Sequence, residues 1–308
     1  MRIGAHMSAA GGVTRAVERA VLHGCEALQL FAKNNARWIG KSIEPDEARR
    51  FRDLVASSGL APVVSHASYL INLAAPPGPI RDKSIDAIAD ELDRAEALAL
   101  AGVVVHPGVC APESTMDDAI ARVAEAIRVA FARRPDQRAM LLIEHTAGQG
   151  RTVGHRFEEI AAILAGVEGS SRVGVCLDTC HLVAAGYDIV SDAGYAETFG
   201  AFDRLIGIDR LRVIHANDSK RPIGSRIDRH EHIGQGFVGL ETFGRLLHDA
   251  RLAHLAMVIE TRKTPGICDH PTKTLRDPLD EQNLRALRRL RDSAGVTSTD
   301  AHEDDGGA

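Results

Sequence analysis

The sequence predicts a single-domain α/β protein with the (β/α)₈ fold, in which eight parallel strands form a closed inner sheet surrounded by helices. Short apolar runs alternate with longer amphipathic helical patterns, which favours parallel strand pairing. The alternation recurs eight times, which favours a closed barrel over an open sheet. The chain of 308 residues is 44% hydrophobic and 26% charged, as expected for a globular protein with a large core.

Each predicted strand is a mostly apolar run of four or five residues, typical of strands buried on both faces of a parallel sheet. These runs are 2–6, 27–31, 62–66, 102–106, 140–144, 174–178, 212–215 and 257–260. The segments between them are rich in Ala, Leu, Arg and Glu and carry the period of surface helices. The predicted helices are 11–23, 46–57, 82–100, 116–133, 155–165, 193–206, 238–250 and 279–293.

The helical pattern ends near residue 293, so the barrel domain is predicted to span 1–293. The remainder, 294–308, has four acidic residues and no Lys or Arg, and we expect it to be a disordered acidic tail. Most of the formal net charge of −5 therefore lies in the tail. The charge of the barrel does not exclude a polyanionic partner, because bound divalent ions would add two positive charges each.

The sequence contains no signal-peptide pattern and no run of about 18 apolar residues. We therefore expect a cytoplasmic protein that does not bind membranes. The five cysteines are odd in number and form no C-x-x-C pair, which argues against a disulfide framework. Cys180 lies beside Asp178 and His181, and we interpret it as a packing residue. We also expect the chain to be a monomer.

Metal-binding residue types stand at the ends of seven of the eight predicted strands. In a (β/α)₈ barrel the C-terminal ends of the strands form the rim that carries the active site. A single histidine there is usually a hydrogen-bonded core residue, but neighbouring buried carboxylates are costly unless cations compensate them. The pattern predicts a metal site at this rim. The residues are His6, His66, His106, Glu144, Asp178, His215 and Glu260.

The segment 211–234 contains five residues of this kind within a short stretch, of which His215 has already been named. In an extended tripeptide, residues two apart point the same way, so Asp228 and His230 can converge on one point. Imidazole and carboxylate together suit zinc or manganese better than magnesium or calcium. The alternative is a polar surface loop with ordinary histidines. The five residues are His215, Asp218, Asp228, His230 and His232.

Several longer motifs resemble, in the same order, those of the endonuclease IV family of apurinic/apyrimidinic (AP) endonucleases. The resemblance covers nearly the whole chain up to about residue 290, and GVCLDTCH and DRHEHIGQG are its most specific parts. The motifs are IGAHMSAAGG (3–12), QLFAKN (29–34), SHASYLINLA (65–74), HPG (106–108), EHTAGQG (144–150), GVCLDTCH (174–181), IHANDSK (214–220), DRHEHIGQG (228–236) and IET (259–261).

The resemblance implies a zinc-dependent TIM barrel with three Zn²⁺ ions per chain, with Mn²⁺ as an alternative at one site. Its implied substrate is double-stranded DNA containing abasic sites, cleaved on the 5′ side to leave 3′-hydroxyl and 5′-deoxyribose phosphate ends during base excision repair. The enzyme would then associate with the nucleoid. Two cations about 3.5–4 Å apart would activate a water for attack on phosphorus, so no side-chain nucleophile is needed.

The residues that the resemblance implies as zinc ligands fall into three sets. His6 then becomes an orienting or packing residue, and Asp218 and His232 become orienters of the ligands or of their loop. The first set is His66, His106 and Glu144; the second is Glu144 as the catalytic bridge, with Asp178, His215 and Glu260; the third is His181, Asp228 and His230.

The chain departs from the family pattern at two positions. The family has an Asn beside the bridging glutamate, whereas this chain has His145, which can still form hydrogen bonds. After the second strand, the family places an Arg that enters DNA two residues before a Trp; this chain has Ala36 there and Arg37 one residue later. Tyr69 matches the second side chain that enters DNA. Tyr69 and Arg37 are therefore the implied DNA-binding residues.

Two other functions fit parts of the pattern. A metal-dependent sugar isomerase or epimerase also uses a barrel with His, Asp and Glu at the strand ends, but it needs only one or two ions. A DNA-lesion-binding protein with structural zinc is the second alternative, although structural zinc sites are usually closed and rich in cysteine. The number of bound metal ions and a nicking assay distinguish the three.

Overall fold

The computed structural model describes residues 1–167, 171–270 and 272–293 and contains a closed barrel of eight parallel strands. The first strand pairs with both the second and the last strand of the barrel, which closes the sheet. The predicted fold is confirmed, and each predicted strand end lies within one residue of the observed one. The barrel strands are Arg2–His6 (β1), Ala27–Leu30 (β2), Val63–His66 (β3), Gly102–Val105 (β4), Met140–Glu144 (β5), Val173–Asp178 (β6), Leu211–His215 (β7) and Ala256–Ile259 (β10).

The helices form the outer layer and cover the strands. The eight predicted helices are present, with ends within three residues of the predicted ones, and one further helix follows β6 directly. The helices are Val13–Leu22 (α1), Pro45–Ser58 (α2), Pro79–Leu98 (α3), Met116–Ala132 (α4), Phe157–Gly166 (α5), Thr179–Ala185 (α6), Asp192–Leu205 (α7), Leu240–His248 (α8) and Pro278–Asp292 (α9).

The apolar core has two parts. The larger part lies between the strands and the surrounding helices. The smaller part fills the inside of the barrel with one side chain from each of six strands, so the interior is packed below the rim. These inner residues are Val64, Val104, Leu142, Cys176, Val213 and Val258.

A short antiparallel hairpin leaves the barrel after β7. It pairs Asp218–Ser219 (β8) with His230–Glu231 (β9), and the residues between them form a surface loop. The buried Asp218 carboxylate accepts hydrogen bonds from the backbone N–H groups of Gly234 at 2.9 Å and Val238 at 2.7 Å. These bonds hold the segment after β9 against the hairpin and so fix the position of the hairpin on the rim.

None of the described helices is long and apolar enough to cross a membrane. The predicted acidic tail, 294–308, lies outside the described residues.

Candidate metal centre

Three predicted ligands meet at the Glu144 carboxylate, which is fully buried at the end of β5. One carboxylate oxygen lies 3.0 Å from Nε2 of His66 and 2.9 Å from Nε2 of His106. The other oxygen lies 2.9 Å from Nδ1 of His215. Because both oxygens face histidine nitrogens on different sides, Glu144 has the geometry of a residue that joins two ligand groups.

The second group surrounds Nδ1 of His215. This nitrogen lies 3.1 Å from a carboxylate oxygen of Glu260 and 3.9 Å from one of Asp178. The ligand atoms of these three residues and Glu144 all lie within 4.8 Å of one another. Three carboxylates and one imidazole are therefore close enough to share one cation.

The third group joins α6 to the hairpin. The two carboxylate oxygens of Asp228 lie 3.2 Å from Nε2 of His181 and 3.2 Å from Nε2 of His230. Asp178 also contributes an oxygen 3.6 Å from Nε2 of His230. The convergence of Asp228 and His230 is the one expected from their spacing, and Asp178 lies between the second and third groups.

Two of the predicted ligand histidines are held by a hydrogen bond from Nδ1 to a backbone carbonyl. Nδ1–H of His66 donates to the Ala67 carbonyl at 2.9 Å, and Nδ1–H of His181 donates to the His145 carbonyl at 2.8 Å. Each bond makes Nδ1 the donor and turns Nε2 toward the cluster. The side chain of Asp178 caps α6 by accepting from the His181 N–H at 3.0 Å, which places both residues at the rim.

The donor set fits zinc. Nε2 of His181 and Nε2 of His230 are buried and have no hydrogen-bond partner among the described residues, although Asp228 lies within ion-pair distance. Buried polar atoms without partners are rare, and a cation that accepts both lone pairs would satisfy them.

The charges of the cluster depend on one another. Burial alone would lower the pKa of His181, but Asp178 and Asp228 raise the pKa to about 10. The same balance raises the pKa of His230 to about 9. Burial would raise the pKa of Glu144, but His106 and His215 hold the pKa well below its ordinary value. The histidines and carboxylates thus stabilise each other's charged forms, and metal ions would supply the positive charge in place of the histidines.

Gln29 orients two of the predicted ligands, a role that was not predicted from the sequence. Its side-chain oxygen accepts from Nε2–H of His215 at 2.8 Å, and its NH₂ group donates to Glu260 at 2.5 Å. The first bond turns Nδ1 of His215 toward Glu144. A sequence signal was present, because Gln29 is the polar residue in the apolar run ALQLF and a buried amide needs hydrogen-bond partners.

Asn217, two residues after the end of β7, also orients predicted ligand carboxylates. Its NH₂ group donates to Asp178 at 2.6 Å, and its carbonyl oxygen accepts from the Glu260 N–H at 2.8 Å. The predicted orienter His6 accepts a hydrogen bond at Nδ1 from Gln29 at 3.1 Å and lies 3.8 Å from Glu260. These contacts hold the carboxylates in place without making either residue a ligand.

The remaining predicted orienters contact the loop or the outer helix. Asp218 fixes the segment after the hairpin, and His232 accepts at Nδ1 from the Asn283 amide at 2.9 Å. The buried His145 donates through Nε2 to the His155 carbonyl at 3.1 Å, and burial lowers the pKa of His145 to about 3. The neutral ring lies behind the site, and only its backbone carbonyl contacts a ligand.

Cys180 lies near the third group but has the features of a packing residue. Its sulfur is within 4.8 Å of ligand atoms of Asp228 and His230. The thiol is fully buried and points toward the Arg229 carbonyl at 3.6 Å. Burial raises the pKa of Cys180 to about 12, which favours the neutral thiol over the thiolate that binds metals.

The rim beside the ligands is open. A cavity of about 310 Å³ is lined by His106, His181 and Asp228, among other residues, so a ligand can reach the third group from solvent.

The loops after β2 and β3 carry Arg37 and Tyr69. Arg37 is exposed, and Tyr69 is 72% exposed. Both side chains are free to contact a molecule bound at the rim.

Comparison with known proteins agrees with this fold. The family model described as xylose isomerase-like TIM barrel matches residues 17–292, which defines the class. The crystal structure of D-psicose 3-epimerase in the presence of D-fructose matches with a TM-score of 0.66 over 96% of this chain and all of that one, at 20% identity, and this likeness shows the fold alone.

Other relatives are much more similar in sequence. A protein of Geobacter sp. (strain M21) named probable endonuclease 4 is 44% identical over 288 residues, which cover 94% of this chain and 98% of that protein. The crystal structure of endonuclease IV from Thermus thermophilus has a TM-score of 0.81 and 39% identity over 95% of this chain and 99% of that one. The chain belongs to the endonuclease IV family.

Proposed function

We propose that this protein is a zinc-dependent AP endonuclease that hydrolyses the phosphodiester bond 5′ to an abasic site in double-stranded DNA. The products would be a 3′-hydroxyl and a 5′-deoxyribose phosphate, and the enzyme would act as a cytoplasmic monomer at the nucleoid. As a member of the endonuclease IV family, the chain is a hydrolytic nuclease. The observation that carries the proposal is the convergence of two ligand groups on Glu144 and of a third on Asp228 at an open rim.

Nine residues would hold three zinc ions, with manganese as an alternative at one site. When bound, such ions polarise a phosphate and provide a water nucleophile near neutral pH. Glu144 would be shared by two ions, as its two oxygens facing different histidines support. The ligands would be His66, His106 and Glu144 for one ion, Glu144, Asp178, His215 and Glu260 for the second, and His181, Asp228 and His230 for the third.

The chain supplies its own cations to hold a DNA backbone near these ligands. The hairpin loop that carries Asp228 and His230 also presents exposed Lys220, Arg221 and Arg229. Such side chains bind phosphates and fix the position of the duplex without reading its sequence. We therefore expect these side chains to contact phosphates of a duplex bound at the rim.

An abasic nucleotide must leave the helix before its phosphate can reach a recessed site, at a cost of a few kcal/mol that is smallest where no base pair must be broken. Side chains inserted from the minor groove commonly fill the gap. Tyr69 and Arg37 are the proposed wedge, because both are exposed on neighbouring rim loops. The family's DNA-entering Arg corresponds to position 36, which is Ala36 in this chain, so Arg37 would take over its role.

A sugar epimerase remains the competing function, since the fold is shared with such enzymes. The third ligand group argues against it, because one or two ions suffice for that chemistry. Asp228 lies within ion-pair distance of both His181 and His230. An epimerase would have no use for a third ligand group of this kind.

The proposed function is tested with a DNA duplex that carries one abasic site. Zinc-loaded protein should nick the duplex on the 5′ side of the lesion, and prior treatment with chelator should abolish nicking. Mass analysis of the products identifies the two ends. A matched duplex without the lesion is the control. Tight binding without nicking, or epimerisation of a ketose by the same preparation, would overturn the proposal.

A further inference from the structure

A buried ionic cluster lies beneath the rim loops and includes none of the proposed metal ligands. Lys33, in the loop after β2, has a side chain that is only 2% exposed. Its Nζ lies 2.8 Å from Asp90 and 3.1 Å from Glu91, both on α3. One turn further along α3, Nε of Arg94 lies 3.0 Å from Asp90. Two cations and two carboxylates thus meet where a loop and a helix would ordinarily pack with apolar residues.

The cluster binds the loop after β2 through its backbone. Nζ of Lys33 donates to the Trp38 carbonyl at 2.9 Å, which closes the loop around the turn that carries Arg37. Arg94 donates to the Lys41 carbonyl at 2.7 Å. The N–H of Gly40 is 3.4 Å from the Asp90 carboxylate. The loop is therefore fixed on both sides of Arg37.

The same cluster binds the loop after β3. Glu91 accepts a hydrogen bond from the backbone N–H of Ser68 at 3.3 Å. The Ser68 hydroxyl donates to the Asn35 carbonyl. Ser68 immediately precedes Tyr69, and Asn35 lies two residues before Arg37. The two exposed side chains thus stand on turns that are hydrogen-bonded to each other and to one buried carboxylate.

Stability alone does not explain this arrangement. Removing four ionisable groups from water is costly, and buried ion pairs are often no more stabilising than apolar residues of similar size. Unlike apolar packing, buried ion pairs are directional, because each charged hydrogen bond fixes the position of a particular backbone atom. A cluster of this kind holds two loops in one relative position.

We propose that Lys33, Glu91 and Arg94 are positioning residues that hold Arg37 and Tyr69 as one preorganised wedge for entry into abasic duplex DNA. The proposal rests on the proposed function and deepens it. Loops that are ordered before binding lose less conformational entropy when they insert, so affinity for the duplex increases. A single-stranded abasic substrate needs no wedge, so it should not depend on the cluster.

The test is a double-mutant cycle on binding and incision. Lys33→Met removes the central cation while keeping the length of the side chain, and we expect about a tenfold loss of affinity for the abasic duplex, the scale of lost stacking contacts. Incision of a single-stranded abasic oligonucleotide and zinc content should stay at the wild-type level. In a chain that already carries Arg37→Ala and Tyr69→Ala, Lys33→Met should have no further effect on duplex binding.

A second variant perturbs the cluster without removing a charge. A Cβ atom at Gly40 would lie 2.5 Å from Nη2 of Arg94 and 2.8 Å from Cβ of Lys33, so Gly40→Ala forces the loop away from α3. We expect it to reproduce the loss seen with Lys33→Met, and it decides the question if Lys33→Met does not fold. Lys83→Met, which removes an exposed cation from α3, is the matched control and should behave as wild type.

Two outcomes would overturn the proposal. Equal losses on duplex and single-stranded substrates, or a Lys33→Met loss that persists in the Arg37→Ala and Tyr69→Ala background, would make the cluster a general structural element. Failure of the zinc-loaded wild type to nick either substrate would overturn the proposed function and, with it, the wedge. The wild-type reaction therefore distinguishes failure of the proposed function from failure of the proposed role of the cluster.

Discussion

Glu144 is the residue on which the proposed metal centre most depends. Its carboxylate is fully buried, yet three histidines from the ends of three different strands approach it within hydrogen-bond distance. A buried anion of this kind is stable only when positive charge lies close to both oxygens. The neighbouring histidines hold the pKa of Glu144 well below its ordinary value, and in the loaded enzyme two cations would supply the positive charge.

Glu144→Gln should abolish incision while leaving the fold intact, because an amide has the same shape but cannot supply negative charge to two cations. Residues of such a cluster act as a unit, so the loss should be as large as that caused by removing a metal. Steady-state incision of the abasic duplex and circular dichroism measure the two properties.

The exposed Glu197 on α7 provides the control, since Glu197→Gln should leave kcat unchanged. A Glu144→Gln enzyme that keeps more than about a tenth of kcat, a barrier change below about 1.4 kcal/mol, would remove Glu144 from its central role.

Gln29→Met should weaken zinc binding by about 10–100-fold, the usual effect of losing a residue that orients a ligand. Met fills similar space but cannot bind Nε2–H of His215 or the Glu260 carboxylate. Competition with a chromogenic chelator measures the affinity. The exposed Gln282 on α9 gives the control Gln282→Met. Unchanged affinity in Gln29→Met would show that His215 and Glu260 keep their orientation without it.

The sequence could predict the residues at the strand ends but not how they are held. A histidine or carboxylate after an apolar run is visible without any knowledge of its neighbours. The role of Gln29 depends on His215 and Glu260, which lie 186 and 231 residues away along the chain. Those contacts exist only because the barrel closes, so the polar residue within the run ALQLF could not be assigned a partner beforehand.

At the level of secondary structure, the strands were the most predictable elements because each is a short apolar run bounded by polar residues. Helix α6 was not predicted, because it has only seven residues and begins on a segment dense in candidate ligands. The hairpin β8–β9 was not predicted either, because each strand has two residues. Both elements are held by contacts at the rim rather than by an apolar pattern.

The first and last elements of the barrel are joined by Glu26 and Arg291. Glu26 accepts from the Ile3 N–H at 3.0 Å, and its carboxylate lies 2.7 Å from the Arg291 guanidinium on α9. Burial would raise the pKa of Glu26, but Arg291 and the Ile3 N–H lower the pKa below its usual value. A carboxyl group with a lowered pKa in the folded state stabilises the fold above its unfolded pKa.

Glu26→Gln should therefore lower the free energy of unfolding at pH 7 by about 1 kcal/mol or less, since the pair is partly exposed and screened by solvent. The difference from wild type should shrink as the pH falls through the pKa of Glu26 in the folded state and vanish below it. Urea denaturation of both proteins at several pH values measures this. A difference that stays constant through the acidic range would show that the charge of Glu26 is not responsible.

For the molecule as a whole, the family and the barrel could both be predicted from the sequence, because the motifs follow the order of the strands. The identity and number of the metal ions remain predictions. Three divalent ions would offset the formal net charge of −5 and reduce repulsion between the protein and a DNA backbone. Their removal should also lower stability, because the ligands are brought together only in the folded state.

The most direct measurement is reconstitution of the chelated protein with zinc, following bound metal by elemental analysis and incision of an abasic duplex in the same samples. Incision should return as the bound zinc approaches three ions per chain, and the thermal midpoint should rise along the same titration. Full incision by protein that holds no metal, or saturation of both binding and incision at one ion per chain, would contradict the assignment of the three ligand groups.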